Sequence, residues 1–460
     1  MPTPLGQIFH LYNRLGFGIS YKEAKEIAHK NINEIVNGLI ISSGISTYLS
    51  VIKKEEIQAF KETIAEGKNK VEVQNLNKMK TMELNLQWMK QLIDTKNVLV
   101  EKQTLFWHNH FACRIPNPYL LQELNNTMRK FAFGNFRDLL VEVCKSPAIL
   151  IYLNNQQNKK EHPNENFARE LLELFTLGHG NYSETDIKET AKAFTGWGFK
   201  KDTGEFFFNE KLFDFSEKEI FGKKGNFGGE DVINMIISNK KTAYHIARKM
   251  YRYYVNENVN ESRVKDLAEF YYQNQYNTGA LIKKIFSSSY FFEEENIGSK
   301  IKSPIELLVG LSRQFKIKYH RYEALFKFQE ILGMQLFYPP NVAGWSGGRN
   351  FIDSSTLIWR MKLPGILLSD VKPTGTKVPA PEVEEKEETE NNTATNLIGA
   401  EINWEGILSE LTDLDFEKLI KVYLAKSPKP ETIQKIKELT ALSKKEMVLS
   451  IVSLPEYSLV

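Results

Sequence analysis

Cysteine is almost absent: Cys113 and Cys144 are the only two in 460 residues. This excludes a disulfide framework and a cysteine-rich metal centre, and leaves two free buried thiols as the expectation. No apolar run approaches the ~20 residues that a membrane-spanning helix needs. An excess of one charge is missing too, since 60 basic residues face 57 acidic ones for a net of +3. Composition therefore makes no case for nucleic acid or an anionic membrane as partner, although local patches stay open. The start, MPTPLGQIFHLYNRLGFG, has no basic end followed by a long apolar run. No signal peptide is visible, so a cytoplasmic location is the default, and a true start further upstream would permit export. The glycines and lysines of 222–229 lack the GxxxxGK[ST] order of a phosphate loop and carry no nucleotide role.

What is present belongs to an ordinary globular chain, 42% apolar and 25% charged, long enough to bury a large core. Helical periodicity dominates, so the expected fold is mainly α, a large multi-helical domain over 1–368. A small β-hairpin is expected near 199–215, where Asp202-Thr203-Gly204 separates aromatic runs. Residues 51–70 read as a solvated helix, and Met79, Met82, Leu86, Met89 and Leu92 as the core stripe of the next. His10 and Arg14 lie one turn apart and read as a surface or half-buried pair, with a site role for Arg14 held open. Residues 369–400 form a low-complexity linker: six glutamates and one lysine fall within 382–390, and such a segment is expected to be disordered. Residues 401–460 read as helical, with an apolar tail that packs back on the main body.

Three stretches carry most of the chemistry. In Pro163–Trp197, Asn164 caps a helix whose apolar face is Phe167, Ala168, Leu171, Leu174 and Phe175. Asn166, Arg169, Glu170 and Glu173 form its polar face, predicted to point inward as a network. Gly178-His179-Gly180 turns the chain, and a capping box, Ser183 to Asp186, opens a second helix ending at Trp197. The second stretch is LFWHNHF, Leu105 to Phe111. His108 and His110 lie about 200° apart on a regular helix and cannot chelate one ion there unless the helix ends or distorts. The third, Leu336 to Gly348, brackets Trp345 and Asn341 with prolines and glycines, and only tertiary contacts can hold such a loop.

These stretches resemble the domain-of-unknown-function 1800 family of bacterial proteins. The resemblance rests on HLYNRLGFG, LFWHNHFA, PNENFARELLELFTLG, AFTGW, PPNVAGWSGG and a closing LPEY, in that order along nearly the whole chain. It implies an almost entirely helical fold and a frequent genomic neighbour with a sulfatase-like fold, often exported. It implies no established activity. Where the family tends to show a His-Asp pair after the hairpin, this chain has Phe213-Asp214.

Two classes of function stand side by side. In one, the protein is a metal-dependent or carboxylate-based hydrolase or oxidoreductase. Imidazole and carboxylate groups suit zinc, iron or manganese. The candidate ligands are His108, His110, Glu170, Glu173 and His179, and Glu165, Arg169, Glu170, Glu173 and Asp186 are the candidate catalytic groups. In the other, the protein is a non-catalytic scaffold or binding module acting with a sulfatase-like partner. Arg169 then bridges Glu165 and Glu173, His110 is a satisfied core histidine, and Trp197 and Trp345 offer stacking surfaces.

Overall fold

The computed structural model describes residues 2–42, 47–53, 70–200, 203–368, 400–438 and 443–460. The expected linker over 369–400 lies outside these residues but for residue 400, and so does most of the solvated helix expected over 51–70. The described chain is mainly α, with three two-stranded antiparallel sheets. No helix among the described residues is long and apolar enough to cross a membrane. Both cysteines are free and buried.

The helix Val98–His110 runs through the middle of the core. Of its thirteen residues only Asn109 is not fully buried. Its two adjacent charges are therefore paired, as burial requires. Glu101 receives Arg129 at 2.8 and 3.0 Å, Trp88 Nε1 at 2.8 Å and Gln91 Nε2 at 2.7 Å. Lys102 donates to Glu306 and to the Gly16 carbonyl.

Several expectations need correction. The helix Lys70–Asp94 buries Thr81, Leu84, Asn85, Trp88, Met89 and Leu92, whereas Met79 is exposed. The methionine stripe misplaced the face because Asn85, a polar residue, belongs to the buried side, where it bonds Gln329 and the Leu336 carbonyl. His10 and Arg14 are both buried rather than superficial. Arg14 donates to the carbonyls of Tyr254, Val255, Asn296 and Val460. It thus closes the C-terminal end of the helix Lys240–Tyr254, where cations are favoured. The first hairpin spans Trp197–Phe199 and Phe206–Phe208. A second hairpin, which was not expected, pairs Lys218–Ile220 with Lys223–Gly225.

The end of the chain lies against the middle. Lys300 and Val460 exchange backbone hydrogen bonds, and Lys302 N–H donates to the Ser458 carbonyl. Successive side chains of an extended segment point to opposite sides. Lys300 and Lys302 accordingly share a buried side while Ile301 takes the other.

Candidate functional site

Three consecutive residues at the end of Val98–His110 point in three directions, because each is turned about 100° from the last. His108 Nε2 accepts the Phe337 N–H at 3.2 Å, and its ring lies among Trp88, Phe337 and Trp345. Asn109 clamps the proline- and glycine-bracketed loop, accepting from Trp345 N–H at 2.7 Å and donating to the Trp345 carbonyl at 3.2 Å. Gly344 makes this approach possible: its φ is +76°, and a Cβ there would run into Asn109. His110 reaches the other way. Its Nε2 meets the Phe175 carbonyl at 3.0 Å and its Nδ1 meets Lys249 Nζ at 2.9 Å. A carbonyl only accepts, so Nε2 carries the proton and Nδ1 accepts from Lys249. Burial, followed by the nearby Lys249 and His245, holds the His110 pKa well below the usual imidazole value.

The Phe175 carbonyl is presented by a local irregularity. The segment expected to be one regular helix is α-helical over Glu165–Glu170 and then π-helical over Leu171–Thr176. The wider turn is closed by Leu177 N–H to the Leu172 carbonyl at 2.9 Å. At the helix end the carbonyls of Leu174 and Phe175 are left to find partners outside it. His245 and Lys249 both reach Leu174 O, each at 3.2 Å, and His110 takes Phe175 O. Wide turns of this type recur at functional sites.

Of these groups, Asn109, His110, Lys249 and Trp345 border a cleft of about 500 Å³ between Val98–His110, Lys240–Tyr254, residues 300–306 and the Trp345 loop. Beneath it lies a cluster of buried charge centred on Glu306. The residue closes a capping box with Ser303 at the start of the helix Pro304–Gln314, so its position follows from helix initiation. Burial alone would push its pKa up, but Lys102 and Lys300, with the hydrogen bonds from Lys102 and Ser303, hold it at about 2. Arg14, Lys102, Lys300, Lys302 and Arg360 all act on this one carboxylate. Glu257 is the other acid near them, and it sits where a Cβ on Gly348 would fall.

Crowded and buried, the cations are poor bases. Burial lowers the pKa of Lys300 to about 7, with Glu306 opposing and Arg14 and Lys102 reinforcing. Lys302 also falls to about 7, and burial alone takes Lys249 to about 8. The ring of Tyr253 has the Lys102 ammonium 5.5 Å and the Lys300 ammonium 4.9 Å from its centre. The Tyr253 hydroxyl is buried on this cleft wall and has no hydrogen-bond partner among the described residues, nor has Arg360 Nη2.

A larger hollow, about 630 Å³, borders Tyr12, Glu23, Asp94 and Arg313. Its guanidinium is already engaged: Arg313 Nη1 donates to the Leu92, Ile93 and Thr95 carbonyls and closes the end of Lys70–Asp94. The cleft above Glu306 is therefore the better candidate.

The ligand set expected from sequence is not brought together. Among the described residues no three His, Cys, Asp or Glu side chains gather where they could hold one ion. His108 and His110 are engaged as described, and His179 is exposed, 3.5 Å from Glu173. The carboxylate face of the hairpin does not form the inward network either. Arg169 pairs with Glu184 at 3.0 Å and Glu165 at 3.4 Å on a half-exposed surface, and Glu173 accepts from the Tyr182 hydroxyl. Burial, then the neighbouring Glu173, raises the pKa of the half-buried Glu170. Asp186 is occupied by its capping box and by the Phe221 N–H at 2.7 Å. Asn164 caps its helix, and Asn166 bonds the Leu153 carbonyl at 3.2 Å. Trp197 is buried between Phe194 and Phe206. Only His110, Asn341 and Trp345 of the expected residues border the cleft, while Arg14 lies beneath it.

Sequence reasoning missed Lys102, Lys249, Lys300, Lys302 and Glu306. A signal existed for two regions. Glu101-Lys102 interrupts a stretch with no solvated face, and Lys300-Ile301-Lys302 alternates charge with an apolar residue just before the capping box Ser303 to Glu306.

A family model described as a protein of unknown function (DUF1800) matches residues 10–459. The chain belongs to that family. No curated protein and no solved structure matches it.

Proposed function

We propose that this DUF1800 chain binds an anionic small molecule, bearing a phosphate, sulfate or carboxylate group, in the cleft above Glu306. The observation that carries this reading is the imbalance of buried charge. Among the described residues, Arg14, Lys102, Lys300, Lys302 and Arg360 all act on Glu306, with Glu257 as a second carboxylate for Arg14 and Lys300. Unpaired buried cations are costly, and an anion in the cleft would offset that cost. Lys249, Arg252 and Lys300 border the cavity, and the free Tyr253 hydroxyl can donate to an anion oxygen. Glu306 can polarise Lys102 and Lys300 but stays ionised. A reaction on the bound molecule would therefore draw on the amines of Lys249 and Lys300, not on the hairpin carboxylates.

Titration calorimetry with phosphate and sulfate tests the reading. Binding should be saturable in the wild type and weaken at least about tenfold in Lys300→Met, the loss of one charge-assisted contact. It should also weaken as pH rises above 7, because a bound anion holds a proton on Lys300 that the empty site gives up. Equal affinity in both proteins, or affinity independent of pH, would refute the assignment.

A further inference from the structure

We infer that Lys249 is the reactive amine of the cleft, and that its Nζ captures the carbonyl carbon of an anionic aldehyde or 2-oxo acid as an imine. The anionic character of that substrate rests on the reading above. The choice of Lys249 rests on its own geometry.

Lys249 stands on the helix Lys240–Tyr254 and borders the cavity. Its Nζ donates to His110 Nδ1 at 2.9 Å and to the Leu174 carbonyl at 3.2 Å. A neutral amine has two N–H bonds and one lone pair. Both donors are directed into the wall, towards the histidine helix and the π turn, which leaves the lone pair for the cavity. No carboxylate among the described residues lies within ion-pair distance of Lys249 to hold a third proton on it. The titratable groups around it are the neutral imidazoles of His110 and His245, with the cations Arg248 and Arg252 on its own helix. Burial disfavours the ammonium form and brings the Lys249 pKa to about 8. Desolvated lysines of this kind serve as imine-forming nucleophiles.

The step balances without a co-reactant. Nζ bonds to the carbonyl carbon as the carbonyl π pair moves to oxygen. One Nζ proton passes to that oxygen, giving a carbinolamine. With one proton taken from solvent, the hydroxyl leaves as water. The iminium that remains keeps a single N–H, which His110 Nδ1 can accept. The substrate's anionic group would sit towards Lys300, Arg252 and the Tyr253 hydroxyl.

The test treats the full chain with glyoxylate and sodium cyanoborohydride near neutral pH and maps the alkylated lysines by mass spectrometry. Reduction adds hydride to the imine carbon and fixes it as a secondary amine. Lys249 should be labelled at least about tenfold faster than the exposed Lys241 and Lys265. Phosphate should slow the labelling. A reactive site on Lys300 in place of Lys249, or labelling confined to exposed lysines, overturns the inference. Neutral glycolaldehyde separates the two proposals. If Lys249 reacts equally well with it, the amine stands and the anion reading falls. If phosphate binds in the cleft but Lys249 stays unlabelled, the anion reading stands and the amine falls. In Lys249→Met the adduct should vanish. The wild-type map decides the matter even if that variant folds poorly.

Discussion

Replacing Glu306 by glutamine removes the carboxylate at the centre of the cationic cluster and little else. Glutamine is nearly the same size, and its side-chain oxygen can still accept from the Ser303 N–H, so the capping box survives. What disappears is the counter-charge to Lys102, Lys300, Lys302, Arg14 and Arg360. Breaking one side of a buried ion pair costs about 3–5 kcal/mol. The lysines can limit that loss by giving up protons, since Lys300 and Lys302 already titrate at about 7 with Glu306 present. A loss of about 3 kcal/mol at neutral pH follows. It should shrink as pH rises, because the wild type keeps protons on Lys102 and its neighbours that the variant has already released, and the wild type loses that advantage in alkali. Urea unfolding of both proteins across the neutral to alkaline range measures this directly. Added phosphate should stabilise the variant more than the wild type, since it replaces the missing negative charge. A loss below about 1 kcal/mol, unchanged by pH and phosphate, would refute the idea that Glu306 is the counter-ion of this cluster.

Other consequences can be checked in the same way. In the wild type, Lys249, Lys300 and Lys302 have folded-state pKa values of about 8, 7 and 7 against 10.5 unfolded. Between those values the unfolded chain binds more protons, so stability should rise with pH from about 7 towards 10, by at most ~1.4 kcal/mol per pH unit per lysine. Denaturant midpoints measured against pH should show that rise. Gly344→Ala should cost about 2–4 kcal/mol, from positive φ and collision with Asn109, whereas Gly347→Ala meets open space and should cost about 1–3 kcal/mol from its backbone alone, since φ 76° with ψ 177° is a conformation kept almost entirely to glycine. Asn109→Ala removes both bonds to Trp345 and should lose about 1–3 kcal/mol, with a change in tryptophan fluorescence as the loop loosens. Arg169→Ala should fall within about 1 kcal/mol of wild type by thermal melting, because its pairs with Glu184 and Glu165 are half exposed.

The helices were largely legible because they are announced locally. The Ser183 capping box and the Asn164 cap occur where the residues place them. Three stretches were also legible as important, and two of them do border the cleft through His110 and Trp345. What each contributes was not legible. Pro163–Trp197 drew attention through its carboxylates, yet it meets the histidine helix through the backbone carbonyls of Leu174 and Phe175. A π turn has no signature in a 3.6-residue pattern, so the reading continued a regular helix through it. The cationic cluster draws Arg14, Lys102, Lys300 and Arg360 from distant parts of the chain. Long-range pairing of charges leaves no local spacing to read. Arg14 in particular looked superficial because its partners are carbonyls near residues 254, 296 and 460.

The central claim is that an anion belongs in the cleft above Glu306. Selenate, a heavy analogue of sulfate, locates such a site directly by anomalous diffraction from crystals of the full chain. The account predicts the strongest selenium peak within hydrogen-bonding reach of Lys300 and the Tyr253 hydroxyl, and loss of that peak in Lys300→Met. Selenate found only against surface lysines, with the cleft empty in the wild type, would contradict it.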